Sequence, residues 1–300
     1  FMGAPFLANP QSAVLYPFNW PLAFLAPHVA IKPAIILHFV IAGLGSYALA
    51  KRALKVSTTA ATLSAVTFAF GGHLTAKVEQ VNQMQAMAWM PCLLWVTAEL
   101  LTSTRYRRRW GLLFSVFLAV QILAGHPQTS LISITGIIIW ASLTKGDIQN
   151  TASLTTFYKL RILLQHLAKR FASLIPYVAL GTLITSAQLL PTFELARHSL
   201  RSGGMTLHDT ISFSLHPLLL GRSLLPPYSQ ALSNEYVSHI GVIALLLAIL
   251  GLTCVQTKGR IPLFVMTSLA LLLAIGGYTP IYSMLAKLIP GFDLFRAPAR

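Results

Sequence analysis

Val29-Ala-Ile-Lys-Pro-Ala-Ile-Ile-Leu-His-Phe-Val-Ile-Ala-Gly-Leu-Gly-Ser-Tyr-Ala-Leu-Ala50, followed at once by Lys51-Arg52, is the stretch on which the fold turns. A bilayer core of about 30 Å is crossed by about 20 helical residues. Within that core only helices or closed barrels satisfy their own backbone hydrogen bonds. A long apolar run that ends on paired basic residues is therefore a spanning helix closing at a membrane surface. The same unit recurs along the chain, in seven or eight apolar stretches of roughly 17–22 residues. With 55% hydrophobic and 10% charged residues and a mean hydropathy of +0.68, the composition is not that of a soluble domain. The expected fold is all-α, a polytopic transmembrane helical bundle of about eight spans in a single domain covering residues 1–300.

The charge pattern orients that bundle. Of 22 Lys and Arg, 14 fall into four groups. These are Lys51, Arg52 and Lys55; Arg105, Arg107, Arg108 and Arg109; Lys145, Lys159, Arg161, Lys169 and Arg170; and Lys258 with Arg260. The positive-inside rule assigns these loops to the cytoplasm, where they also meet anionic headgroups. The loops between them hold five of the seven acids, Glu79, Glu194, Asp209, Glu235 and Asp293. A nucleic-acid binder gathers its positive charge on one soluble face, so the net charge of +15 is a topology signal and no nucleic-acid partner is expected. The lipid bilayer is the first partner the sequence implies. Cys92 and Cys254 both fall in expected spans with no metal-ligand spacing.

Spans are expected near 29–50, 56–72, 86–102, 110–124, 129–144, 172–193, 236–257 and 261–278. Residues 1–28, broken by Pro5, Pro10, Pro17, Pro21 and Pro27, read as an outer-face loop with short helical turns. Residues 145–171 read as a cytoplasmic loop carrying an amphipathic interfacial helix over 158–170, and 194–235 as the longest outer-face loop. The chain opens on Phe1 without a charged leader and closes in the loop-like run ending at Arg300. It is expected to be a fragment lacking N- and C-terminal parts.

The expected spans are chemically quiet: His38, Gln121 and Gln188 are the notable polar groups at mid-depth, and Glu99 lies near an inner end. Intramembrane ionisable groups mark ion and proton pathways, so their scarcity argues against coupled transport. Polar residues gather instead on the outer side, where seven of the nine histidines fall without the i, i+4 spacing of a zinc helix. Asn9-Pro10-Gln11-Ser12 and His126-Pro127-Gln128-Thr129 repeat one pattern. Each reads either as a capped helix start or as a helix N-terminus offered to an anionic phosphate. Glu79 with Asn82, Gln83 and Gln85 forms a polar stripe, and Glu194 is followed by Arg197, His198 and Arg201. A carboxylate at such a surface takes a proton from an acceptor hydroxyl, holds a cation, or caps a helix. The candidate catalytic residues are Glu79, His126 and Glu194. The candidate substrate-binding residues are Asn9, Gln11, Asn82, Gln83, Gln128, Arg197 and Arg201. No metal ligand is assigned, and the cofactor stays open between none and a divalent cation, Mg or Mn.

Five segments, in order, carry a resemblance: Phe1-Met-Gly-Ala-Pro-Phe-Leu-Ala-Asn-Pro-Gln-Ser-Ala-Val-Leu-Tyr-Pro17, Asn82-Gln-Met-Gln-Ala-Met-Ala-Trp-Met-Pro91, Gly125-His-Pro-Gln-Thr129, Gln188-Leu-Leu-Pro-Thr-Phe-Glu194 and Phe295-Arg-Ala-Pro-Ala-Arg300. Together they resemble the bacterial YfhO family of membrane proteins. That family is similar to GT-C-fold glycosyltransferases, which take sugars from polyprenyl-phosphate carriers on the outer side of the bacterial cytoplasmic (inner) membrane. The resemblance implies transfer of a sugar from a polyprenyl-phosphate-linked donor to a cell-envelope acceptor. It also implies a catalytic Asp in the first outer loop. No Asp precedes Asp147 here, so that residue is expected upstream of Phe1. The competing expectation is a lipid or polysaccharide transporter, or a non-catalytic membrane assembly protein.

Overall fold

The computed structural model describes residues 3, 5–144, 156–199, 204–225, 235–254, 259–289, 292–295 and 298. Among these the chain is all-helical, with no strand. Three short 3₁₀ turns, each opened by a proline at Pro10, Pro17 and Pro21, precede α1 (Pro27–Ala48). α1 runs through a π-turn at Leu49–Ala53 that brings Lys51 and Arg52 to its end. Ser57 then caps α2 (Thr58–Ala69) by accepting the Ala60 N–H at 3.2 Å. α3 (Gly72–Ala76) is a single turn, and α4 (Val81–Ala88) leads almost without interruption into α5 (Met90–Thr102). α6 (Arg107–Leu123), α7 (Pro127–Leu143), α8 (Thr156–Ile184) and α9 (Ser186–Arg197) follow. α10 (Leu207–Thr210) and α11 (Leu220–Leu224) are short, and α12 (Val242–Cys254), α13 (Arg260–Ile275) and α14 (Pro280–Leu288) complete the chain.

α5 is the centre of the bundle. Its Leu93, Val96 and Leu100 are buried against Phe114 and Leu118 of α6, Ile137 and Ala141 of α7, and Leu174 of α8. On another side Gly45 of α1 faces Cys92 so closely that a Cβ at 45 would overlap the thiol. Small residues let helix backbones approach in this way, and close packing is what holds helices together where lipid replaces water. The α6–α8 pair repeats the device. Gly111 lies under the Tyr177 ring and Gly181 under the Ser115 carbonyl, while Ser115 Oγ donates to the Tyr177 carbonyl at 2.8 Å.

The basic clusters that the structure describes meet at one end. Arg52 Nε donates to Glu99 at 2.8 Å and its guanidinium lies over Trp95 and Trp110. Leu54 meets Gly259, and Arg170 donates to the Ala141 and Thr144 carbonyls at the end of α7. Lys145 and Lys258 lie outside the described residues.

Among the described residues four helices are long and apolar enough to cross a membrane: Pro27–Ala53, Val81–Thr102, Leu160–Ile184 and Arg260–Tyr278. Pro127–Leu143 and Val242–Cys254 are apolar but shorter. α2 has 12 residues, about 18 Å of helix at 1.5 Å per residue. The expected interfacial helix over 158–170 and span over 172–193 are one helix through Ile184, because nothing between Tyr158 and Pro176 removes a backbone donor. Thr185 then interrupts it, and Pro191 and Glu194 belong to α9.

Candidate functional site

Asn9 adopts an extended conformation and its Oδ1 accepts the Gln11 N–H at 3.0 Å, with Pro10 in the first helical position. Ser12 Oγ donates back to the Asn9 carbonyl at 2.7 Å. The polar atoms of this motif are thus engaged in closing a 3₁₀ turn, and the Asn9 and Gln11 side chains are exposed. The turn packs on Gly125. That residue has φ +84°, and a Cβ on it would run into the Pro10 carbonyl oxygen. Only glycine meets both demands without strain. Asn82 Nδ2 donates to the Gly125 carbonyl at 3.2 Å, so Pro10, Asn82 and Gly125 form one contact.

His126, buried beside it, is the N-cap of α7. Its Nδ1 accepts the Thr129 N–H at 3.3 Å and lies 2.7 Å from the Thr129 hydroxyl. An Nδ1 that accepts an amide proton carries none of its own, so that hydroxyl also donates to it and the ring proton sits on Nε2. Both Pro-Gln motifs therefore act as caps. Gln83 and Gln85 are buried, and Gln85 Nε2 donates to Asn19 Oδ1 at 2.8 Å. Glu79 is exposed in the turn between α3 and α4.

The segment before Asn9 is strapped to α9. Gln188 Nε2 donates to the Leu7 carbonyl at 2.6 Å, and Thr192 Oγ1 to the Ala8 carbonyl at 2.9 Å. Between them lies an open groove with a cavity volume of about 500 Å³. Phe6, Leu7, Pro191 and Leu195 give it apolar walls, and Glu194 and His198 supply its carboxylate and imidazole. Arg197 is exposed on the same helix, and Arg201 lies outside the described residues. Residues 5–12 therefore join the Glu194 groove at one end to the Asn82–Gly125 contact at the other. Neither Glu79 nor His126 is among the residues lining the groove.

Two polar clusters were not foreseen as units. In the first, Trp89 Nε1 donates to the Tyr16 hydroxyl at 2.9 Å, Tyr16 lies 2.5 Å from His38 Nε2, and His38 Nδ1 lies 2.6 Å from the Ala34 carbonyl. A carbonyl only accepts, so Nδ1 carries the proton and Nε2 takes the Tyr16 O–H. Burial holds the Tyr16 phenol protonated far above its usual range, against the opposing Trp89 N–H. In the second, Lys77, with no exposed surface, donates to Glu235 at 2.8 Å, and Gln80 Nε2 donates to the same carboxylate at 3.3 Å. His73 Nδ1 donates to the Val237 carbonyl at 3.2 Å, and Gly72 N–H donates to the His239 carbonyl at 2.6 Å. The His73 imidazole is pushed below its usual range by burial, opposed by the Val237 bond, with Lys77 adding to the fall and Glu235 resisting it. One signal was available for this cluster: a buried lysine needs a carboxylate, and the sequence has seven acids to choose from.

Among the described residues no group of three His, Cys, Asp or Glu side chains is placed to hold a metal ion. Among the described residues the donor set does not build a protein cage for Mg or Mn. Comparison with known protein families, with curated proteins and with solved structures finds no match. What the fold defines is a class: among the described residues, an all-helical chain with four helices long and apolar enough to cross a bilayer.

Proposed function

We propose that this chain belongs to a multi-pass membrane glycosyltransferase of GT-C type, related to the YfhO family, working on the non-cytoplasmic side of a bacterial inner membrane. Its donor is a sugar on a polyprenyl phosphate and its acceptor a cell-envelope hydroxyl. The observation that carries this reading is the groove beside Glu194, where apolar walls suited to a prenyl chain flank a carboxylate and an imidazole. Large apolar side chains on the outer faces of the helices, among them Ile36, Leu44, Leu183 and Ile243, support the membrane setting. α12 has no buried residue at all.

The reaction joins the acceptor oxygen to the anomeric carbon as that carbon's bond to phosphate oxygen breaks. The bonding pair leaves with the lipid phosphate, and the acceptor proton passes to a carboxylate. Within this chain Glu194 is the carboxylate offered for that proton, with the His198 imidazole lining the same groove and the Arg197 guanidinium exposed on the same helix. The family resemblance implies a principal Asp in an outer loop, so Glu194 acts with it or in its support. Asn9, Gln11, Asn82 and Gln128 are proposed substrate contacts outside the groove lining.

The test incubates the purified protein containing this chain, in lipid, with radiolabelled polyprenyl-phosphate sugar and an envelope extract. Label should move to the acceptor, and Glu194→Gln should lower the rate about 10²-fold, the scale of a general base. Transfer that requires a nucleotide sugar, or carrier translocation without transfer, rejects the reading and favours transport.

A further inference from the structure

A second groove lies at the end of the bundle where the basic residues gather. Thr104, Arg105, Arg107 and Arg108 form one wall, from the turn before α6 and from its first helical turn. Leu112 of α6 and Pro176, Tyr177 and Leu180 of α8 form the other, around a cavity of about 660 Å³. The floor is fixed, because Gly111 seats the Tyr177 ring and Ser115 holds the Tyr177 carbonyl. The lining contains no acid. Glu99, the nearest acid in sequence on the preceding helix, is occupied by Arg52. No side chain caps the N-terminus of α6, so its dipole adds positive potential to that of the guanidinium groups.

We infer that this groove binds the headgroup of an anionic glycerophospholipid of the surrounding leaflet, with phosphate on Arg107 and Arg108 and one acyl chain on α6. Arginine forks match phosphate oxygens two at a time. Basic recesses between helices on the positive side of a membrane recognise lipid headgroups on that basis. The apolar half commits the site to a lipid over a soluble anion. Leu112 is 48% exposed and Val116, one turn further along α6, is 47% exposed. They continue the groove into the hydrocarbon zone, where an acyl chain gains from them and inorganic phosphate gains nothing.

The experiment places the purified protein in mixed phosphatidylglycerol–phosphatidylcholine nanodiscs and counts by native mass spectrometry the lipids kept on release. The wild type should retain phosphatidylglycerol selectively. Arg107→Gln with Arg108→Gln should weaken that retention about tenfold, the scale of one lost charge-assisted bond. Leu112→Trp keeps every charge, fills the groove, and should weaken it as well. Lys51→Gln with Lys55→Gln removes equal charge from the same end of the bundle and should leave it intact. Equal loss in the arginine and lysine pairs would replace the site with a diffuse positive surface. Equal retention of phosphatidylcholine would reduce it to an apolar cleft, and full displacement by inorganic phosphate would make it a soluble-anion site.

Discussion

Lys77 and Glu235 show how much a single buried charge controls. Each offsets the other's charge where burial penalises it, so truncating one removes the other's counter-charge. Lys77→Met is expected to cost about 3–5 kcal/mol, read as a fall in thermal unfolding temperature in detergent. Lys77→Met combined with Glu235→Leu should recover much of that loss. A double variant no better than the single one would show that the carboxylate is not what the lysine serves. His73, in the same cluster, makes the fold sensitive to acid. Its folded-state pKa is lowered from the ordinary 6.5, so the unfolded chain binds the proton more readily. The stability it contributes is complete above about pH 6.5 and is lost as pH falls through the lowered folded value. His73→Asn retains a donor for Val237 and should flatten the stability profile below pH 6.5. A profile as steep as the wild type's would assign the acid sensitivity to another group.

At the scale of elements, Gly125 joins the N-terminal turn to α7, and its backbone was readable only once its neighbour was known. The sequence 125–129 announces a helix start through Pro127 and the capping His126. Nothing in it announces that Pro10 lies against the glycine, more than 100 residues away in the chain. Gly125→Ala adds a Cβ at positive φ and at a backbone contact, and should cost about 1–3 kcal/mol. Loosening should be confined to the first dozen residues and appear as faster amide exchange there, while α7 keeps its protection. The caps themselves were legible, since Asn before Pro and His before Pro are local chemistry. The strap from Gln188 and Thr192 was not, because its acceptors are main-chain oxygens that any residue supplies. The run from 158 to 184 was misdivided for a related reason. A change from amphipathic to apolar composition marks a change of surroundings along one helix, and only Thr185 marks its end.

For the whole molecule, hydropathy and the basic clusters showed the all-helical class, and the convergence of Arg52, Arg105 and Arg170 with Gly259 at one end follows the order in which those clusters occur. The number of spans was less legible. Apolar runs such as 56–72 are cut by Ser57 and by Gly71-Gly72 into helices shorter than a bilayer is thick. Single cysteines test the arrangement directly. Arg107→Cys and Met205→Cys, each in a Cys254→Ser background because Cys254 is exposed and Cys92 is buried, should label from opposite sides of intact cells. Labelling of both from the outside would overturn the orientation drawn from the positive-inside rule.

The main-chain anchoring of residues 7 and 8 has an evolutionary consequence. Gln188 and Thr192 grip carbonyl oxygens, and those oxygens persist whatever side chains the two positions carry. Phe6 and Leu7 can therefore drift in size and shape while the ribbon that bears them stays in register. A lineage can re-cut one wall of the groove, and with it the selectivity of whatever docks there, by single exchanges that leave the scaffold untouched.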